Sequence, residues 1–129
     1  MAISDYLENK LIDHLFRSTA LAQPAGIYLA LGTAASDSSF TELSGGGYAR
    51  INLGRGDANW NLAVGTTALI VAKESGAATG NWGDITKWAL YDAASGGNML
   101  YYGDMAHACR VYSGEKFSLP AYGLTLGFN

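Results

Sequence analysis

His107 and Cys109 are the residues whose types and spacing come closest to chemistry. A thiol near an imidazole is the start of a nucleophile pair, in which histidine draws the proton from sulfur. Two positions apart on an extended segment, they share one face. Their side chains then stand roughly 6–7 Å apart by the strand rise, beyond direct hydrogen-bond reach. Such a pair also needs a third group to orient the base. The plainer reading is a half-buried free cysteine beside a surface histidine. One cysteine and two histidines cannot complete a structural zinc site without carboxylates or a second copy of the chain.

The carboxylates Asp57, Asp84, Asp92 and Asp104 all fall in predicted turns, where aspartate hydrogen-bonds its own backbone. A glycosidase pair drawn from them is spatial, so the sequence leaves it open and unsupported. Ser44-Gly45-Gly46-Gly47 has the look of a phosphate cradle, but no Gly-Lys-Ser/Thr follows and the next segment reads as strand. A glycine turn or bulge feeding an edge strand is the better reading. Arg55-Gly56-Asp57 matches the cell-adhesion tripeptide, a short motif easily met by accident in a glycine-rich loop. Trp60, Trp82 and Trp88, with eight tyrosines, suit either a sugar-binding platform or core and interface packing. EF-hand and Gly-x-Ser-x-Gly spacings are absent. No catalytic, cofactor-binding or metal-binding residue is assigned, and no cofactor is expected.

The elements that would position these residues are mostly short strands. Ile85–Tyr91 and Met99–Tyr102 read as a hairpin closed by Asp92–Asn98, near the middle of a sheet. Residues 4–17 read as the one helix, with Ser4 as N-cap and Asp5 and Glu8 in its first turn. Leu7, Leu11 and Leu15, flanked by Ile12 and Phe16, form an apolar stripe. That stripe either covers an open edge of the sheet or docks another subunit. Ile27–Leu31 is the next strand, and Gly32–Ser39 a small-residue loop or contact arm. Strands follow at Tyr48–Leu53, Trp60–Val64 and Thr66–Ala72, with Lys73–Asn81 a loop. Asp104–His107 reads as irregular. Cys109–Tyr112 and Lys116–Leu119 read as partners across a tight turn, and Tyr122–Phe128 as the closing strand. The whole predicts a mainly β chain: an antiparallel β-sandwich, jelly-roll-like, with one N-terminal α-helix. It is expected to be a single domain over 1–129, with helix and linker in 1–20 and the sandwich in 25–129. No repeat at solenoid or propeller period is present.

Composition narrows the function. Hydrophobic residues make up 49% and charged residues only 15%, so the surface is rich in Gly, Ser, Thr, Ala and Asn. That suits a protein packed against neighbours. The net charge is −3 and the eight Lys and Arg are scattered, so no nucleic acid is expected as partner. Asp5 and Glu8 stand where a signal peptide would be basic, and the apolar runs are too short for a membrane span, so neither leader nor membrane is expected.

Met1–Leu11, Leu15–Ala20, Ile27–Leu31, Thr41–Arg50, Asn81-Trp82-Gly83, Tyr91–Gly103 and Leu124-Thr125-Leu126 together resemble a family of small virion structural proteins of tailed bacteriophages. Members are commonly labelled tail fibre proteins and are similar in size and β content to capsid decoration, or cement, proteins. The residues 52–79 match least. The resemblance implies a non-enzymatic virion protein made in the host bacterial cytoplasm. Its first reading is a cement protein on the outer capsid surface, partnered by the major capsid protein and by copies of itself as a dimer or trimer. The alternative is a tail module partnered by tail proteins or a host-surface glycan. Tyr6, Leu7 and Leu11 on the helix, and Ser36, Asp37 and Ser38 in the loop, are the candidate partner contacts.

Overall fold

The computed structural model describes residues 2–127. Phe128, the predicted end of the last strand, lies outside the described residues, as do Met1 and Asn129.

The chain is mainly β, with antiparallel pairing throughout. The principal sheet takes β1 (Ala2–Ile3), β8 (Met99–Arg110), β7 (Asp84–Tyr91), β2 (Tyr28–Ala35) and β3 (Phe40–Glu42) in that spatial order, and β4 (Ile51–Asn52) pairs with β2 beside β3. Two ribbons complete the fold: β5 (Thr66–Ala68) with β10 (Thr125–Gly127), and β6 (Lys73–Glu74) with β9 (Ser118–Leu119). The predicted hairpin is β7–β8, and it does lie centrally, because β7 is paired on both sides. The second layer is built from these ribbons and their connecting loops rather than from a sheet matching the first.

Register sorts the residues between two faces. Leu29, Leu90 and Tyr101 form one cross-strand row, and Leu31, Trp88 and Gly103 the next. This face packs with Leu53, Leu69, Trp82, Val111, Leu124 and Leu126 into the main core. Gly103 is needed here: a Cβ on it would lie 2.7 Å from the Trp88 ring. The opposite face carries the row Ala30, Ala89 and Tyr102, with Phe40 and Tyr91 packed over the two alanines.

Several boundaries differ from the sequence expectation. The loop expected at Gly32–Ser39 is half strand: β2 runs on to Ala35 and β3 folds back against it. Gly32 marks a close approach rather than a break, since a Cβ there would meet the Thr41 carbonyl oxygen at 2.0 Å. Residues 104–107, expected to be irregular, continue β8 with a bulge: Asp104 opposes Lys87 and Cys109 opposes Ile85, so Met105–Ala108 face the single residue Thr86. Cys109–Tyr112 and Lys116–Leu119 do not pair with each other. Residues 111–119 run instead beside 75–82, with Trp82 N donating to Val111 O (2.9 Å) and Ser75 N to Phe117 O (2.8 Å). The expected loop at 73–81 therefore contains β6. The strands at 48–53 and 66–72 shrink to β4 and β5, and the 60–64 segment to isolated bridges.

Candidate interaction surface

Helix α1 (Asp5–Phe16) begins at Ser4, as expected. The buried Ser4 hydroxyl accepts from Leu7 N at 3.2 Å and donates to the Met99 carbonyl, while Ser4 N donates to Leu100 O at 3.0 Å. One serine thus both caps the helix and moors it to β8. Asp5 N donates to Asp37 O at 2.9 Å, and the Tyr102 hydroxyl donates to the Asp37 carboxylate. Its hydrogen bond to Asp37, with partial desolvation and the nearby charges of Asp37, Asp5 and Glu8, pushes the Tyr102 phenol up to about 12. The Ser36–Ser39 turn closes on itself through Ser36 N to Ser39 O at 2.8 Å.

The third element at this end is the β7–β8 loop. Asp92 holds it shut, accepting from Asn98 N at 2.7 Å and Asn98 Nδ2 at 3.1 Å. Gly97, at φ +72°, leaves no room for a Cβ, which would fall 2.5 Å from the Asp92 carboxylate. Arg50 Nη1 donates to Ala93 O (2.9 Å) and Gly96 O (2.8 Å), and its guanidinium lies 3.8 Å above the Tyr91 ring. Arg50 is in turn gripped by Glu42, which also accepts from Tyr48 Oη at 2.6 Å. Burial pushes the Glu42 carboxyl up, but the hydrogen bonds from Arg50 and Tyr48 and the guanidinium charge outweigh it and hold it below its ordinary value.

The structure therefore brings some of the candidate contacts together and separates others. Tyr6, Asp37 and Ser38 line one polar hollow of about 280 Å³ with Gly97 and Asn98 from the β7–β8 loop. Ser36 is exposed at the start of the same turn. Leu7 faces the other way, into an apolar hollow of about 370 Å³. Leu11 is half-buried and lines neither hollow.

The apolar stripe on α1 is split. Leu7 packs against the core, whereas Ile12, Leu15 and Phe16 stand exposed. Their i, i+3, i+4 spacing is visible in the sequence; at 3.6 residues per turn Ile12 and Phe16 stand about 140° and 180° around the helix from Leu7, away from the core it meets. Leu62 and Val64 are also exposed, and sequence reasoning placed them in a strand. Among the three tryptophans, Trp82 and Trp88 are buried in the core, and Trp60 is half-buried with its indole N–H on Gly54 O at 3.0 Å.

The residues with chemical potential are spread out. Cys109 is half-buried at the end of the β8 bulge, and burial pushes its thiol up, away from the thiolate a nucleophile needs. Asp84 and Asp104 lie in strands, not turns; they pair across β7–β8 with Arg110 and Lys87, one pair at each shoulder of the bulge. Asp57 is exposed in a turn. Among the described residues, no group of three or more His, Cys, Asp or Glu side chains is placed to hold a metal ion. No helix among them is long and apolar enough to cross a membrane.

What the described surface offers is contact: one polar end built from three elements and one apolar flank. The model of the family described as podophage GP4 fiber I protein gp80 matches residues 2–127. The chain belongs to that family. Membership gives this fibre-family chain a virion structural role and an association with other virion components. No curated protein matches it.

Proposed function

We propose that this chain is a fibre subunit of a podophage particle, acting as a compact joint between virion proteins and not as an extended shaft. The family match over residues 2–127 is the observation that carries this reading. The joint works by contact, without catalysis. Its partners are tail proteins and copies of itself, with no nucleic acid or membrane involved. The polar end is its partner-facing surface, with Tyr6, Asp37 and Ser38 in the contact and Ser36 beside it. The hydrogen bonds of Ser4 to Met99, and of Asp5 and Tyr102 to Asp37, hold that end in shape before the partner arrives, which reduces the ordering cost of binding. Leu7 supports it from beneath, and Leu11 lies along the same helix.

The second reading is a capsid decoration protein on the outer head surface, bridging copies of the major capsid protein. The low charge and exposed aliphatic residues favour it, since each copy then adds a modest contact energy repeated over the shell. A host-glycan role has less behind it, because Trp82 and Trp88 are occupied in the core.

Immunogold labelling of intact particles, with copy number from gel densitometry, tests the assignment. A small, fixed number of copies at the tail is the expected result. Hundreds of copies over the head overturn the fibre reading in favour of decoration. A Ser38→Arg variant, which adds bulk at an exposed turn, is expected to fold normally and to be missing from particles. Its normal incorporation overturns the assignment of the polar end as the contact.

A further inference from the structure

Two features of the apolar flank are complementary. The segment Asn61–Thr67 reverses in a two-residue turn, with Ala63 N donating to Thr66 O (2.9 Å) and Thr66 N to Ala63 O (3.2 Å). Val64 sits at its apex before Gly65, which takes φ +73°. Leu62 and Val64 are 92% and 103% exposed, so the turn holds both clear of their own chain. Beside this knob lies the hollow of about 370 Å³ floored by Ile27, Leu90, Leu100 and Leu126, with Leu62 on its rim. Such a lining suits a branched aliphatic side chain and offers little to a hydroxyl-rich ligand.

A knob beside its own hole has a simple symmetric solution. A two-fold axis between two copies passes each knob into the other's hollow, and both exchanges are made at once. The charges on the rim fit the same operation. Arg55 and Asp57 both border the hollow and are exposed, so two copies facing each other there have opposite charges on the rim available to pair. Helix α1 borders the hollow through Leu7, and Leu62 and Val64 add exposed aliphatic surface beside it.

We infer that this flank is the contact between two copies of the chain: the Val64 turn of each enters the leucine-lined hollow of the other, and Arg55 and Asp57 pair across the axis. The contact rests on the reading of the chain as a multi-copy virion component, and it gives the Arg55-Gly56-Asp57 segment a role in self-association.

Sedimentation of the purified full-length chain tests it. A dimer is expected. Val64→Asp places a charge in the hollow and is expected to raise the dimer dissociation constant roughly a hundredfold, the effect of losing a central anchor. Arg55→Asp alone weakens the dimer, and Arg55→Asp combined with Asp57→Arg restores it. These positions are exposed, so circular dichroism, and Tm measured at dilutions where both chains are monomeric, should match the native chain. A monomer at concentrations near ~100 µM, a trimer, an unaffected Val64→Asp dimer, or a double charge swap no better than the single one each overturn the contact. The location of the protein on the particle is unaffected by any of these results, so the two proposals fail separately.

Discussion

Arg50 and Glu42 form a two-pronged ion pair, with Nε on Oε2 and Nη2 on Oε1 at 3.0 Å each. The guanidinium has a second set of bonds, through Nη1 to the Ala93 and Gly96 carbonyls. One side chain thus joins the β3–β4 edge of the principal sheet to the loop that closes β7–β8. Only 7% of the Arg50 side chain is exposed, so its charge depends on Glu42 for compensation.

Arg50→Ala should therefore cost about 3 kcal/mol, the usual effect of removing one partner of a buried pair. Arg50→Lys keeps the charge but not the fork, and should fall between alanine and native. Urea unfolding checks both. A loss under ~0.5 kcal/mol for alanine, the level of an ordinary surface change, would show that the pair does not hold the loop.

The same pair predicts an acid limb of stability. The Glu42 carboxyl is held below its ordinary value in the folded chain, so the unfolded chain binds its proton first as pH falls. Its contribution is complete above the unfolded value of about 4.3 and is lost as pH drops through the lower folded value. Tm measured from pH 7 to pH 3 should fall more steeply for the native chain than for Glu42→Gln. Parallel curves would exclude Glu42 as a source of the acid sensitivity.

Gly103→Ala should destabilise by about 1–3 kcal/mol, since its Cβ meets the Trp88 ring and the core must shift. Trp88 also donates its indole N–H to Asp104 O at 3.2 Å, so a displaced ring changes its hydrogen bonding. Tryptophan emission compared between variant and native chain reports that displacement. Gly114→Ala is the control for backbone strain: Gly114 has φ +87° and open space around it. Its substitution should cost stability without moving the emission.

The helix should divide by position. Leu7→Ala removes packing against the core and should cost about 2 kcal/mol or more. Leu15→Ala and Phe16→Ala remove exposed side chains and should stay within ~0.5 kcal/mol for the isolated protomer. Thermal unfolding at high dilution makes the comparison. Equal losses at Leu7 and Leu15 would mean that the whole stripe covers the sheet.

Ser4→Ala should loosen α1 as a unit. It removes the helix cap, worth typically ~1 kcal/mol, and the hydroxyl bonded to Met99 O. Amide hydrogen exchange in residues 7–16 should accelerate while the β2–β7–β8 amides keep their protection. Uniform acceleration would place the helix in the same cooperative unit as the sheet.

Local chemistry legible in the sequence determined the capped helix at Ser4, the β7–β8 hairpin with its Asp92–Asn98 loop, and the mainly β antiparallel class. Each of these rests on neighbours within a few positions: a cap reaches three residues, and a tight loop closes over seven. The family resemblance was legible for the same reason, since it is carried by runs of adjacent residues. Partner choice between distant segments was decided only by the tertiary structure. Lys116–Leu119 could pair with Cys109–Tyr112 by proximity, yet β9 pairs with β6 because the 111–119 backbone finds its hydrogen bonds along 75–82. Glycine was the most misleading signal. Gly32 and Gly103 punctuate no turn; they admit the Thr41 carbonyl and the Trp88 ring, contacts that exist only once strands are side by side. The candidate surfaces divide the same way. The sequence marks Tyr6 and Asp37 separately, but only the fold sets them in one hollow, because Asp5 N at the start of the helix reaches Asp37 O in the β2–β3 turn. It shows an apolar stripe on α1, and only the way the helix lies on the core decides that Leu7 is covered and Leu15 is not.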